Sequence, residues 1–192
     1  MPKIFSIALI MMIMSACHQH IAPPHNIDDA CVIAHHHDEW RSALVKGKRD
    51  SRVPTALILA IIRQESSFRA EIRPAMRYFL GFIPIGRASS AYGYAQVIDS
   101  TWQWYQKSNQ AWDHQRNIFE HAVQFIIWYV ELTYQRYQVD YSDYTAHYLA
   151  YHEGHGGFKK KSYRHKKKLL KYAKGVSRWA NKFLNDLTRC PL

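Results

Sequence analysis

Apolar side chains recur along this chain at three- and four-residue spacing, and no stretch shows a convincing two-residue alternation. The pattern predicts a succession of helices. The first runs from Asp28 to Lys46, with Asp28 or Asp29 as its start signal and Gly47 as its stop. Ala56 to Ile62 is apolar on every side and predicts a buried helix, with Pro54 at its first turn. Asp99 or Ser100 can cap a helix holding Trp102, Trp104 and Tyr105, three side chains suited to packing. Asn117 opens the clearest amphipathic helix, in which Ile118, Ala122, Phe125, Ile126, Tyr129 and Thr133 share a face. Ser142 or Asp143 starts the next one and places Tyr144, Tyr148 and Tyr151 together, before Gly154, Gly156 and Gly157 end it. A last, basic helix runs from about His165 to Leu187. Between these, Ile72 to Arg87 reads as a loop-rich insert, and its Phe79–Pro84 stretch needs cover from somewhere. The expectation is a mainly α fold, a compact orthogonal bundle around a groove.

A chain of 192 residues with 47% apolar content is one domain with enough material for a core. Residues 1–16 stand apart from it. Lys3 gives a positive start, Ile4 to Met14 an apolar run, and Ser15-Ala16 small residues: a secretory signal, too short to span a bilayer. Cys17 then resembles the lipidated cysteine of a bacterial lipobox, and His18 after it favours the outer membrane. Ordinary cleavage near Ala16, giving a soluble periplasmic protein, is the alternative, as is an uncleaved anchor. Residues 17–27, with Pro23-Pro24, read as a tether, and residues 28–192 as the folded domain. In an oxidising compartment Cys31 and Cys190 can bond and tie the two ends together.

The candidate chemistry centres on Glu65, directly after the apolar segment. A carboxylate at the edge of a low-dielectric core has its pKa raised, as a general acid near neutral pH requires. Arg63 is a possible partner, although two positions away on a helix it faces elsewhere. Two further segments accompany Glu65: Ala91-Tyr92-Gly93-Tyr94-Ala95-Gln96-Val97 and Ala150-Tyr151-His152-Glu153-Gly154.

With Glu65-Ser66 and Phe68, these segments resemble the ordered motifs of the lysozyme-like lytic transglycosylases of the SLT type: Glu-Ser-x-Phe, Gly-x-x-Gln-aliphatic and Ala-Tyr-Asn-x-Gly. The resemblance covers roughly residues 53–158. His152 stands where that family has asparagine, and the Ile72–Arg87 insert lengthens the first gap. The resemblance implies a lysozyme-like bundle with a substrate groove, and a single glutamate that cleaves the bond between N-acetylmuramic acid and N-acetylglucosamine. Glu65 would protonate the linking oxygen and then take the proton of the muramoyl C6 hydroxyl as that oxygen closes on C1.

Mapped onto this chain, Gly93 would let backbone approach the sugar, Gln96 would offer its amide, and Tyr151 its hydroxyl, to Glu65 or to the sugar, and its ring as a wall. Tyr92 and Tyr94 would stack on sugar faces. Ser66 would support the helix end, and Tyr144 and Tyr148 would serve the core. A muramidase-type hydrolase remains an alternative and needs a second carboxylate, for which Glu153, Asp99 and Glu71 are candidates. A non-catalytic peptidoglycan-binding lipoprotein is the other. No metal centre and no cofactor are expected: His35-His36-His37 point in different directions on a helix, and His152-Glu153-Gly154-His155 lacks the spacing of a zinc-protease motif.

The net charge of +11 changes the picture of partners. Nucleic acid is excluded by export, whereas the carboxylates of peptidoglycan peptides attract a basic protein over distance. A solvated, solubilising face is the bland reading of the same charge. The run Lys159 to Lys168 could hold those carboxylates or an anionic membrane surface. The expected state is a monomer bound to glycan strands and to a membrane through its lipid.

Overall fold

Asp29 caps a short helix, α1 (Ala30–Ala34), its carboxylate accepting from the amides of Cys31 and Val32. The chain then turns at His35–His37 and re-enters helix as α2 (Asp38–Asp50). The single helix expected over this stretch is therefore two. Gly47 lies inside α2 and does not stop it. A Cβ added there would come within 2.8 Å of the Ile127 Cδ1, so glycine serves to seat α2 against a later helix, α5 (Phe119–Tyr137). These coordinates come from a computed structural model that describes residues 21–192. The signal segment 1–16, Cys17 and the start of the tether lie outside the described residues. The rest of the tether lies against the fold: Pro24 is buried, Ile21 and Ile27 pack on the core, and the Ala22 carbonyl bonds to His36 Nε2.

Helix α3 (Thr55–Ser66) begins after Pro54 and is buried from Thr55 to Ile62, as a segment with no polar stripe requires. Its cover is the last helix, α7 (Lys167–Arg189), whose buried Leu169, Ala173, Val176, Ala180 and Phe183 repeat at helical spacing. The alanines in that series let the two axes approach closely. Each large apolar side chain enclosed in this way is worth about 1.5–3 kcal/mol. Between α3 and α5 come α4 (Asp99–Asn109), with Trp102 and Tyr105 buried, and after α5 comes α6 (Tyr144–Lys159), capped by the Asp143 carboxylate. The glycines expected to end α6 bend it instead: Gly154 has φ +71° and ψ 158°, and the helix resumes beyond it. A 3-10 turn, Ser162–His165, then leads into α7.

The insert is not merely loop. It forms an antiparallel hairpin, β1 (Met76–Phe79) with β2 (Ile83–Arg87), with a register irregularity between Arg77 and Tyr78. Neither strand buries a face, so neither carries the alternation that would have announced it. Its apolar stretch finds no cover among the described residues. Cys31 and Cys190 are joined by a disulfide, and the buried Asp186 beside them accepts from the Ala30 amide and pairs with Lys182 and Arg189. The result is the mainly α, lysozyme-like helical fold that the sequence leads one to expect.

Candidate active site

Glu65 occupies the last turn of α3, where the helix dipole opposes a negative charge. Its carboxyl group sits at the floor of a groove of about 510 Å³, also lined by Gln96, Thr101, Tyr129, Tyr151, His152 and Glu153. The groove thus gathers side chains from all three motif segments. Burial pushes the Glu65 pKa up to about 7, against the pull of a hydrogen bond that the Tyr148 hydroxyl donates to Oε1 at 2.9 Å. Arg63 does not neutralise it: that guanidinium pairs with Asp28 and lies 3.4 Å over the Trp179 ring. Behind the glutamate, Ser66 donates to the Ile62 carbonyl and closes the helix end. Ser67 and Phe68 then take positive φ, 52° and 61°, and Phe68 is wholly buried. Two consecutive non-glycine residues in this region carry strain of the order of 1–3 kcal/mol each, which the packing of Phe68 against Trp40 sustains.

Tyr148 is buried in the core, as expected, and from there its hydroxyl also reaches Glu65. Tyr151 lines the groove with its ring, but its hydroxyl donates to the Ala95 carbonyl at 2.6 Å. Both belong to the same face of α6, and that shared face was the only signal in the sequence that could have found Tyr148. Tyr94 is buried at right angles to Trp40 and Phe119, so it is a core residue and not a sugar platform. Tyr92 is partly exposed, with Arg73 stacked 3.9 Å over its ring, and does not line the groove.

Gly93 faces inward as well. Its φ is +79°, and a Cβ there would stand 2.0 Å from the Arg116 carbonyl oxygen, so glycine is required by backbone packing rather than by approach to a sugar. Gln96 lines the groove with φ 47°, and its amide nitrogen donates to the carbonyls of Ile72 and Gly93 at 3.0 and 2.9 Å. That leaves the amide oxygen as the part of Gln96 able to serve a ligand.

Glu153 is the second carboxylate of the groove lining, yet its side chain is only 5% exposed and both oxygens are engaged. Lys166 Nζ bonds each of them at 2.8 Å, Ser162 Oγ donates to Oε2, and His152 Nδ1 lies 3.5 Å from Oε1. Burial alone would raise the Glu153 pKa; Lys166 and Ser162 together outweigh it and hold the group below its ordinary value. Asp99 pairs with Arg116 at 2.7 Å, and Glu71 lines a different cavity, beside Trp40. His152 is exposed on the groove wall. His155, just past the bend, is buried against Tyr129 with Nε2 3.0 Å from the Thr133 hydroxyl, and burial and Arg136 push its pKa down to about 4.

A family model described as the transglycosylase SLT domain matches residues 5–190. The chain belongs to that family. No curated protein and no solved structure matches it. Membership places this SLT-domain protein among the lytic transglycosylases and makes peptidoglycan, which lies outside the cytoplasm, its substrate.

Proposed function

We infer that this SLT-domain protein cleaves the glycosidic bond between N-acetylmuramic acid and N-acetylglucosamine, leaving a 1,6-anhydromuramoyl end, with Glu65 as its only acid and base. The observation that carries the reading is the contrast between the two groove carboxylates. Glu65, with a pKa near 7, holds its proton for a substantial fraction of molecules at neutral pH. Glu153 is clamped by Lys166 and Ser162, which hold its pKa below the ordinary value and make it a weaker base for activating water.

In the first step the Glu65 proton passes to the linking oxygen as its bond to the muramoyl C1 breaks. The C6 hydroxyl of the same sugar then attacks C1, and its proton returns to Glu65. No water is consumed and the glutamate ends as it began. On this reading the Gln96 amide oxygen accepts from an acetamido N–H and the Tyr151 ring serves as an apolar wall for the sugar; that both line the groove supports these roles. Export, with Cys17 lipidated and the protein held at the periplasmic face of the outer membrane, completes the proposal.

Purified peptidoglycan should be digested by the chain from His18 onward, with Glu65→Gln alongside and the products identified by mass spectrometry. Anhydromuramoyl ends formed by the parent and absent with Glu65→Gln are expected. Reducing muramoyl ends would instead mean a hydrolase, and an active Glu65→Gln variant would remove Glu65 from the role.

A further inference from the structure

Among the described residues, most of the large apolar side chains that stand exposed belong to one element. Met76, Tyr78, Phe79, Leu80, Phe82, Ile83 and Ile85 all lie on the β1–β2 hairpin, with Leu80 and Phe82 at its turn 69% and 70% exposed. Successive residues of a strand point to opposite faces, and here every residue of both strands is exposed. The hairpin is therefore apolar on both sides. A second protein surface would cover one side; a medium that surrounds the tip covers both.

Charge narrows the choice of medium. Arg73, Arg77 and Arg87 sit at the base of the hairpin, and no acidic residue occurs between Glu71 and Asp99. Arg73 is fixed by its stacking on Tyr92, and Arg87 donates to the Pro74 carbonyl, so the cationic root has a defined shape. An apolar tip above a ring of arginines matches the layered chemistry of an anionic lipid leaflet, with acyl chains beneath phosphates. The hairpin satisfies its inner backbone groups by pairing, and the Phe82 amide donates to the Phe79 carbonyl at the turn. Its outer edges have no such partners in the ladder, which limits entry to the headgroup and upper acyl region where water remains.

We propose that the hairpin Met76–Arg87 inserts its tip into the surface of an anionic membrane, with its arginines at headgroup level. The groove follows from it in sequence, since Ser89 and Ala91 line the groove directly after β2. The hairpin thus holds the open groove close to the leaflet. This contact is independent of any lipid on Cys17 and of the chemistry at Glu65.

The test uses the chain from His18 onward, which keeps every described residue of the core and those packed against it, from Ile21 to Leu192. Co-sedimentation with vesicles of phosphatidylethanolamine and phosphatidylglycerol should capture the parent protein. Leu80→Ser/Phe82→Ser/Ile85→Ser should weaken capture by about tenfold or more, because one large apolar side chain withdrawn from lipid is worth that much. Arg77→Glu should weaken it by at least about fivefold, an effect that fades in high salt. Neither variant touches the core, so both should keep the parental thermal midpoint. Equal capture of parent and triple variant, or no capture of the parent, overturns the proposal. So does a triple variant that loses binding to peptidoglycan sacculi, or self-association, while vesicle binding is unchanged.

Discussion

An acid that must release a proton and then recover it works best with a pKa near the ambient pH, and Glu65 reaches that value through two opposed effects. Burial at the end of α3 raises it, and the Tyr148 hydroxyl, which bonds better to the ionised form, restrains the rise. The proton must be present at the start, so kcat/KM should fall as pH climbs through about 7. Tyr148→Phe removes the donor that favours the carboxylate, and the Glu65 pKa must then move up. The falling limb of the profile should shift to higher pH by about one unit, with kcat lowered about tenfold because the recovering base has lost its support. Tyr151→Phe is the control: its hydroxyl is bonded to the Ala95 carbonyl and should leave the limb close to its parental position. A Tyr148→Phe limb that stays in place would show that this hydroxyl only packs. Which of the two tyrosines reaches Glu65 was not written in the sequence, since both share one helix face and the choice depends on how α6 lies over α3.

Among the elements, α6 shows most clearly what sequence pattern conveys and what it omits. Its cap, its tyrosine face and the presence of a break at Gly154 were legible, because each rests on a local preference. The continuation of the helix past the break was not, because it depends on His155 fitting between Tyr129 and Thr133 on α5. Gly47 erred the same way: only the nearness of Ile127 shows why glycine sits mid-helix. The buried α3 was legible from its unbroken apolar run, and the hairpin escaped notice because strands exposed on both faces need no alternation. The Gly154 conformation, φ +71° with ψ 158°, is one that residues with a Cβ scarcely adopt, although no atom stands where the Cβ would go. Gly154→Ala should therefore cost about 1–3 kcal/mol through the backbone alone, read as a lower midpoint in denaturant. Because Tyr151 and His152 line the groove immediately before the bend, kcat/KM should fall by more than the unfolded fraction explains. A variant with parental stability and activity would mean that the bend positions nothing.

At the scale of the whole molecule, the two ends of the chain are locked together where the groove is not. The Cys31–Cys190 bond spans 159 residues, and around it Asp186 accepts from the Ala30 amide while Lys182 and Arg189 pair with it. Burial would raise the Asp186 pKa, but these partners together hold it below the ordinary carboxylate value, so the charge stays in place at neutral pH. The arrangement fixes α1 against α7, and α7 is the helix that covers α3. Anything that loosens the termini therefore reaches the floor of the groove through one layer of packing. Closing a loop of this length removes chain entropy worth about 5 kcal/mol from the unfolded state in the simplest treatment, which is an upper figure. Reduction, or Cys31→Ser with Cys190→Ser, should lower the thermal midpoint by up to about 10–20 degrees, at about 2–4 degrees per kcal/mol in a domain of this size. The folded remainder should still digest peptidoglycan at low temperature, since the bond touches no groove residue. Equal midpoints with and without the bond would mean that the Asp186 cluster closes the ends unaided. Loss of digestion at a temperature where the reduced chain stays folded would mean that the lock shapes the groove itself.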